Sequence, residues 1–204
     1  MSQSIFNEIT QMVNESRPDL RGQLDDLVLD HATLLNDAGR FEEAKFVIDE
    51  HIFAQAPEGV NRVTEQYQRC RLEIAKHIIN NVDTRDDYSR NELTRAIALL
   101  EECLVLPEHI GEYRVKGAQD NDFYYFLGRA FELKGRMMKH ANQDYEADRT
   151  FSKASKSYRL GVQGYTDITD DTPVNRNKAF FAAQCFEALG DYAKSEEIMR
   201  KIGE

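Results

Sequence analysis

Two stretches far apart in the chain repeat one design. Asn36-Asp37-Ala38-Gly39-Arg40-Phe41-Glu42-Glu43-Ala44 and Glu187-Ala188-Leu189-Gly190-Asp191-Tyr192-Ala193-Lys194-Ser195 each read as a helix end, a glycine, a charged residue, an aromatic, two spacers and a small residue. Glycine reaches the left-handed backbone that stops a helix sharply. The aromatic is then placed to cap the inner edge of a hairpin. The small residue lets two helices approach closely. Such a chain folds as antiparallel helical hairpins.

The remaining sequence agrees with an all-α class. Apolar residues recur at three- and four-residue intervals, strict alternation over a strand length is hard to find, and no Asn-Gly hairpin turn occurs. The periodicity predicts a short helix over about 3–15, with Ile5, Phe6, Ile9, Met12 and Val13 on one side, broken by Arg17-Pro18-Asp19. Helices then follow from Leu24 to Gly39, Phe41 to about Ala54, about 60–80, about 89–106, about 121–140, about 143–164, Pro173 to Gly190, and Tyr192 to Ile202. Thr172-Pro173 reads as an N-cap followed by proline in the first turn. The segments 81–87, 107–120 and 166–172 read as loops. One domain over 1–204 is expected, with an N-terminal helix in 1–18 and hairpin units at 19–57, 60–106, 121–165 and 174–204.

The hairpin motif resembles the tetratricopeptide repeat, a helix–turn–helix unit of about 34 residues. Tyr124, Leu127-Gly128 and Phe131 follow its first-helix pattern, with Gly135 closing the helix. Ala182-Ala183 with Phe186 and Ile74-Ala75 with Ile78 do so too. Ala32 and Leu35 fit, although His31 stands where Leu is usual. On the second helices the matches are Ala44 with Ile48, Ala96 with Leu100, and Ser195 with Met199. In the third unit either Ala147 with Phe151 or Ala154 with Tyr158 fits. The small residues are 12 apart in the first and last units, 21 in the second, and 19 or 26 in the third. The middle units therefore carry insertions or lengthened helices. The resemblance implies hairpins stacked as a right-handed superhelix. It covers about three quarters of the chain.

Charge narrows the partners. Lys plus Arg total 26 against 36 Asp plus Glu, a formal net charge of −10. That average field repels a phosphate backbone and an anionic membrane surface, though a local basic patch is compatible with it. The start of the chain lacks the apolar core of a secretory signal, and no run approaches a membrane span. Cys70, Cys103 and Cys185 are scattered and odd in number, as buried small hydrophobes in a reducing compartment would be. The expectation is a complete, cytoplasmic protein. The closing helix exposes Glu196, Glu197, Arg200 and Lys201, the polar end a repeat array needs.

No phosphate loop, zinc-binding HExxH or nucleophile elbow is present in the sequence. His31, His51, His77, His109 and His140 stand apart from one another, and His31 is expected to be buried. The Asp167–Asp171 loop lacks the glycine and terminal Glu of a calcium loop. No cofactor, metal or catalytic residue is expected.

The resemblance places a partner-binding groove along the first helices. Its lining would be Thr33 and Asn36, then Arg69, Leu72 and Lys76, then Tyr125, Arg129 and Glu132, then Phe180, Gln184 and Glu187. Arg69, Lys76, Tyr125, Arg129, Phe180 and Gln184 are the partner-binding candidates. Aromatic and Arg side chains dominate interface energies, and three cations would favour an acidic or C-terminal peptide. The function implied is a non-catalytic adaptor holding a peptide or helix of another protein. Self-association into an array and an all-α enzyme are the alternatives.

Overall fold

The computed structural model describes residues 8, 11–12, 15–16, 21–51, 60–83, 87–104, 120–163, 165 and 172–203. Among them eight helices are delimited and no strand occurs, so the fold is all-α. They are α1 Arg21–Asp37, α2 Phe41–His51, α3 Val60–Asn81, α4 Asp87–Leu104, α5 Asp120–His140, α6 Asp144–Val162, α7 Pro173–Ala188 and α8 Tyr192–Gly203. The break at 17–19, most of the loops predicted at 107–120 and 166–172, and the Asp167–Asp171 loop lie outside the described residues. Of the helix predicted over 3–15, Glu8, Gln11, Met12 and Glu15 are described and are helical.

Three hairpins share one turn. Gly39 and Gly190 hold φ of 72° and 84°, and Asn142 holds 57°. The next residue closes the same bond each time. The Arg40 N–H donates to Leu35 O at 2.8 Å, Gln143 to Met138 O at 2.9 Å, and Asp191 to Phe186 O at 2.9 Å. Asparagine is the usual substitute for glycine in this conformation, since its short amide tolerates it. The predicted break between 140 and 143 is this turn, and its likeness to the other two is hidden in the sequence because Asn142 stands in the glycine place. Five residues past each turn, Ala44, Ala147 and Ser195 are buried. Seven residues before each turn stand Ala32, Gly135 and Ala183, buried as well.

That register corrects the reading of Gly135 as a helix end. It lies inside α5, which runs to His140. A Cβ there would fall 2.8 Å from the Phe151 ring. Gly128, two turns earlier, faces Tyr158, whose ring would lie 2.4 Å from such a Cβ. Phe151 and Tyr158 of α6 thus face Gly135 and Gly128 of α5, seven residues apart on each helix. The aromatic after the turn does not act uniformly. Phe41 packs against its core, whereas Tyr192 is 63% exposed. The charged residue between differs as well: Arg40 pairs with the Glu43 carboxylate, while Asp191 caps α8 by accepting the Lys194 N–H at 3.1 Å.

The described residues form two compact units, one through Ile74 and the other from Ala75 onward. In the first, α1 and α2 pair around Leu29, Ala32, Leu35, Ala44 and Ile48, joined by Tyr67 and Cys70 of α3. Arg71 is buried there, one turn past Tyr67. Its guanidinium stacks 3.4 Å from the Tyr67 ring centre and pairs with Asp49 at 2.5 Å. His31, expected to be buried, is half-buried, and burial foremost lowers its pKa. In the second unit α5 pairs with α6 and α7 with α8, α4 packs on α5, and α7 packs on both α5 and α6. Ala179, Ala183 and Ile198 form its terminal core with Tyr165, Phe186 and Ile202 against it. Thr172 caps α7, its hydroxyl accepting the Asn175 N–H at 3.2 Å. Lys201 pairs with Glu197 at 3.0 Å on the closing helix.

Gly128→Ala tests the close approach of α5 and α6. A mid-helix alanine gains about 1 kcal/mol of propensity, but forcing a buried ring aside costs about 1–3 kcal/mol. The expected result in denaturant unfolding is a net loss of about 1 kcal/mol, against no loss for Gly203→Ala in open space.

Candidate functional site

The spacing of α5 sets Tyr125, Arg129, Glu132 and Arg136 on one stripe, at steps of four, three and four residues. Phe126 borders it. The Tyr125 and Phe126 rings meet edge-on at 5.1 Å between centres. Phe181 of α7 touches both, at 5.5 Å from each. Phe180 extends the cluster outward, 5.2 Å from Phe181, and is 40% exposed. Lys76, in the last turns of α3, places its ammonium 5.4 Å from the centre of the Phe126 ring. The result is a half-buried aromatic face that spans α5 and α7 and is edged by a cation at 76.

The charged half of the stripe is built around Glu132. Its carboxylate accepts the Tyr158 hydroxyl at 3.0 Å and pairs with Arg129 at 3.1 Å and Arg136 at 2.5 Å. Burial pushes the Glu132 carboxyl up, but the Tyr158 bond and the two guanidiniums outweigh it, and the net pKa is lowered. Burial, then the Glu132 charge, raises that of Tyr158. Burial also raises Tyr125, whose ring stands 6.3 Å from Tyr158.

Four of the predicted partner-binding residues thus belong to one surface. Lys76, Tyr125 and Phe180 join through Phe126 and Phe181, and Arg129 stands one turn from Tyr125. Gln184 is half-buried one turn beyond Phe180 on α7. Arg69 belongs to the other unit, where it pairs with Asp37 at 2.7 Å. The structure removes two residues from the predicted lining. Asn36 is 1% exposed, its amide nitrogen bonded to Gln66 Oε1 at 2.8 Å, and Leu72 is buried. The resemblance places both in the groove, but Gln66 of α3 covers Asn36, and Leu72 of α3 faces inward. Thr33 is half-buried and its hydroxyl returns to Leu29 O at 2.7 Å. Phe126 and Phe181 are not among the predicted candidates, although the run Phe123-Tyr124-Tyr125-Phe126 on α5 and the pair Phe180-Phe181 on α7 cannot all face one way.

Nothing in the described residues assembles a metal site: no group of three or more His, Cys, Asp or Glu could hold an ion. The three cysteines are buried thiols outside any disulfide, and burial pushes the Cys70 thiol to about 11 and that of Cys185 to about 12. Such thiols are protonated and poor nucleophiles at neutral pH. No described helix is long and apolar enough to cross a membrane. No family model, curated protein or solved structure matches the chain.

The depressed Glu132 pKa fixes the sign of a pH effect. Its contribution to stability is present above the ordinary carboxylate range and is lost as pH falls through the folded-state pKa. Glu132→Gln keeps an acceptor for Tyr158 and removes the charge. It should cost about 1 kcal/mol at pH 7, since the group is partly screened by solvent. Chemical denaturation across pH should show that gap closing below about pH 4; a gap that persists undiminished at pH 3 contradicts the assignment.

Proposed function

We propose that the chain is a non-catalytic protein-interaction module that works in the cytoplasm. The hairpins of its second unit would stack in the manner of tetratricopeptide repeats. Support for the stacking comes from the recurring register, a small residue, a left-handed turn seven residues on, and a small residue five beyond. The packing of α7 on both helices of the preceding hairpin agrees with it.

The observation that carries the binding proposal is the aromatic face of α5 and α7 with Phe180 outermost and Lys76 at its edge. Aromatic rings supply contact area at low entropic cost, and most binding energy sits in such anchors. A peptide or amphipathic helix would lay apolar side chains on Phe180 and Phe181. Lys76 and Arg129 would steer its carboxylates.

Affinity capture with quantitative mass spectrometry tests this with Phe180→Ala and Lys76→Glu, and with Tyr145→Ala on α6 as the control. A partner held by the wild type and the control should fall at least about tenfold with Phe180→Ala, the loss expected from removing about 1.4 kcal/mol. Equal recovery by all four proteins rejects this face as the binding surface.

A further inference from the structure

A second charged cluster lies on the other side of α5. Lys134 is half a turn around the helix from the Tyr125 and Arg129 stripe. Its ammonium donates to Thr94 Oγ1 of α4 at 3.0 Å. Thr94 in turn donates to the Arg90 carbonyl at 2.9 Å, one turn earlier. The Arg90 Nε is buried without a hydrogen-bond partner. From α6, the Lys153 ammonium stands 5.5 Å from the centre of the Phe131 ring, and Phe131 precedes Lys134 by one turn. Three helices thus bring three cations together. Burial foremost, then Lys153 and Arg90, pushes the Lys134 pKa down, against a smaller opposing effect of Glu101. By helical spacing Arg149 and Lys156 share the face of Lys153 on α6.

Like charges held together in a chain of net charge −10 are not a solubility device. Converging cations cost free energy unless an anion compensates them. A carboxylate brings one charge and two oxygens. A phosphate monoester or inorganic phosphate brings about two charges and three or more acceptor oxygens. That matches cations from three helices, with ammonium protons of Lys134 and Lys153 to spare beyond the bond to Thr94.

We propose that Arg90, Lys134 and Lys153 form a binding site for a phosphoryl dianion, on a face separate from the aromatic surface. The site reads charge and oxygen count, so the dianion is either free phosphate or a phosphorylated residue of another chain.

The test titrates the full chain with inorganic phosphate, and separately with a short neutral peptide carrying phosphoserine or the same peptide carrying serine. Ionic strength is matched with chloride throughout. Calorimetry and amide NMR shifts around Thr94, Lys134 and Lys153 give the readout. Saturable binding is expected, weakened at least tenfold in Lys134→Met/Lys153→Met, whose side chains keep their apolar stems. The exposed Lys153→Met alone gives a weakening of several-fold and serves if the double variant does not fold. Preference for the phosphoserine peptide over phosphate identifies a phosphorylated chain as ligand, and the reverse preference identifies free phosphate. The proposal is overturned if neither dianion does more than chloride or if the variants bind as the wild type does.

Discussion

The Tyr158 ring occupies the space where Gly128 has no side chain. That contact sets the distance between α5 and α6, and much else follows from it. A buried phenol needs a partner for its hydroxyl. Glu132 supplies the acceptor, one turn along α5 from Gly128. A half-buried carboxylate in turn needs cations, and Arg129 and Arg136 provide them. The place of Arg129 beside the aromatic face is therefore a consequence of helix packing. Tyr125 is fixed from the same side, by its contact with Tyr158.

The class, the helices and two of the shared turns were legible because glycine and a 3.6-residue period act locally. Gly39 and Gly190 announce a left-handed residue by their identity. Asparagine does the same work at 142 but occurs in many other contexts, so the break between 140 and 143 carries no visible turn motif and Gly135 reads as a stop. Burial was harder to read where polar residues enter the core. Asn36 and Arg71 lie inside the first unit because each finds a partner: buried Gln66 for Asn36, and the Asp49 carboxylate with the Tyr67 face for Arg71. By helical spacing Arg71 shares the side of α3 that carries Tyr67 and Ile74. Its charge argued for water, and only the position of Asp49 on α2 could reverse that argument.

The candidate surface was legible in part for the same reason. The resemblance places Lys76, Tyr125, Arg129 and Phe180 on one face by register, and register is a local property. Which ring of an aromatic doublet turns outward depends on the neighbouring helix. Phe181 turns toward Tyr125 and Phe126, and this leaves Phe180 at the rim. No pattern within α7 alone decides that.

Net charge is a poor guide to local chemistry in such a molecule. At physiological salt a charge is felt over about 8 Å, less than the width of a helix pair. The overall excess of carboxylates thus says little about Lys134, whose surroundings are set by Arg90, Lys153 and Glu101. The two faces of α5 obey the same electrostatics with opposite outcomes. On one, Glu132 sits between two guanidiniums and the cluster is neutralised from within. On the other, cations from three helices meet with one weaker opposing carboxylate. A fold can hold the second arrangement where contacts with Thr94 and the Phe131 ring fix the two lysine side chains, because the stems are then held by packing whether or not the charges they carry are balanced.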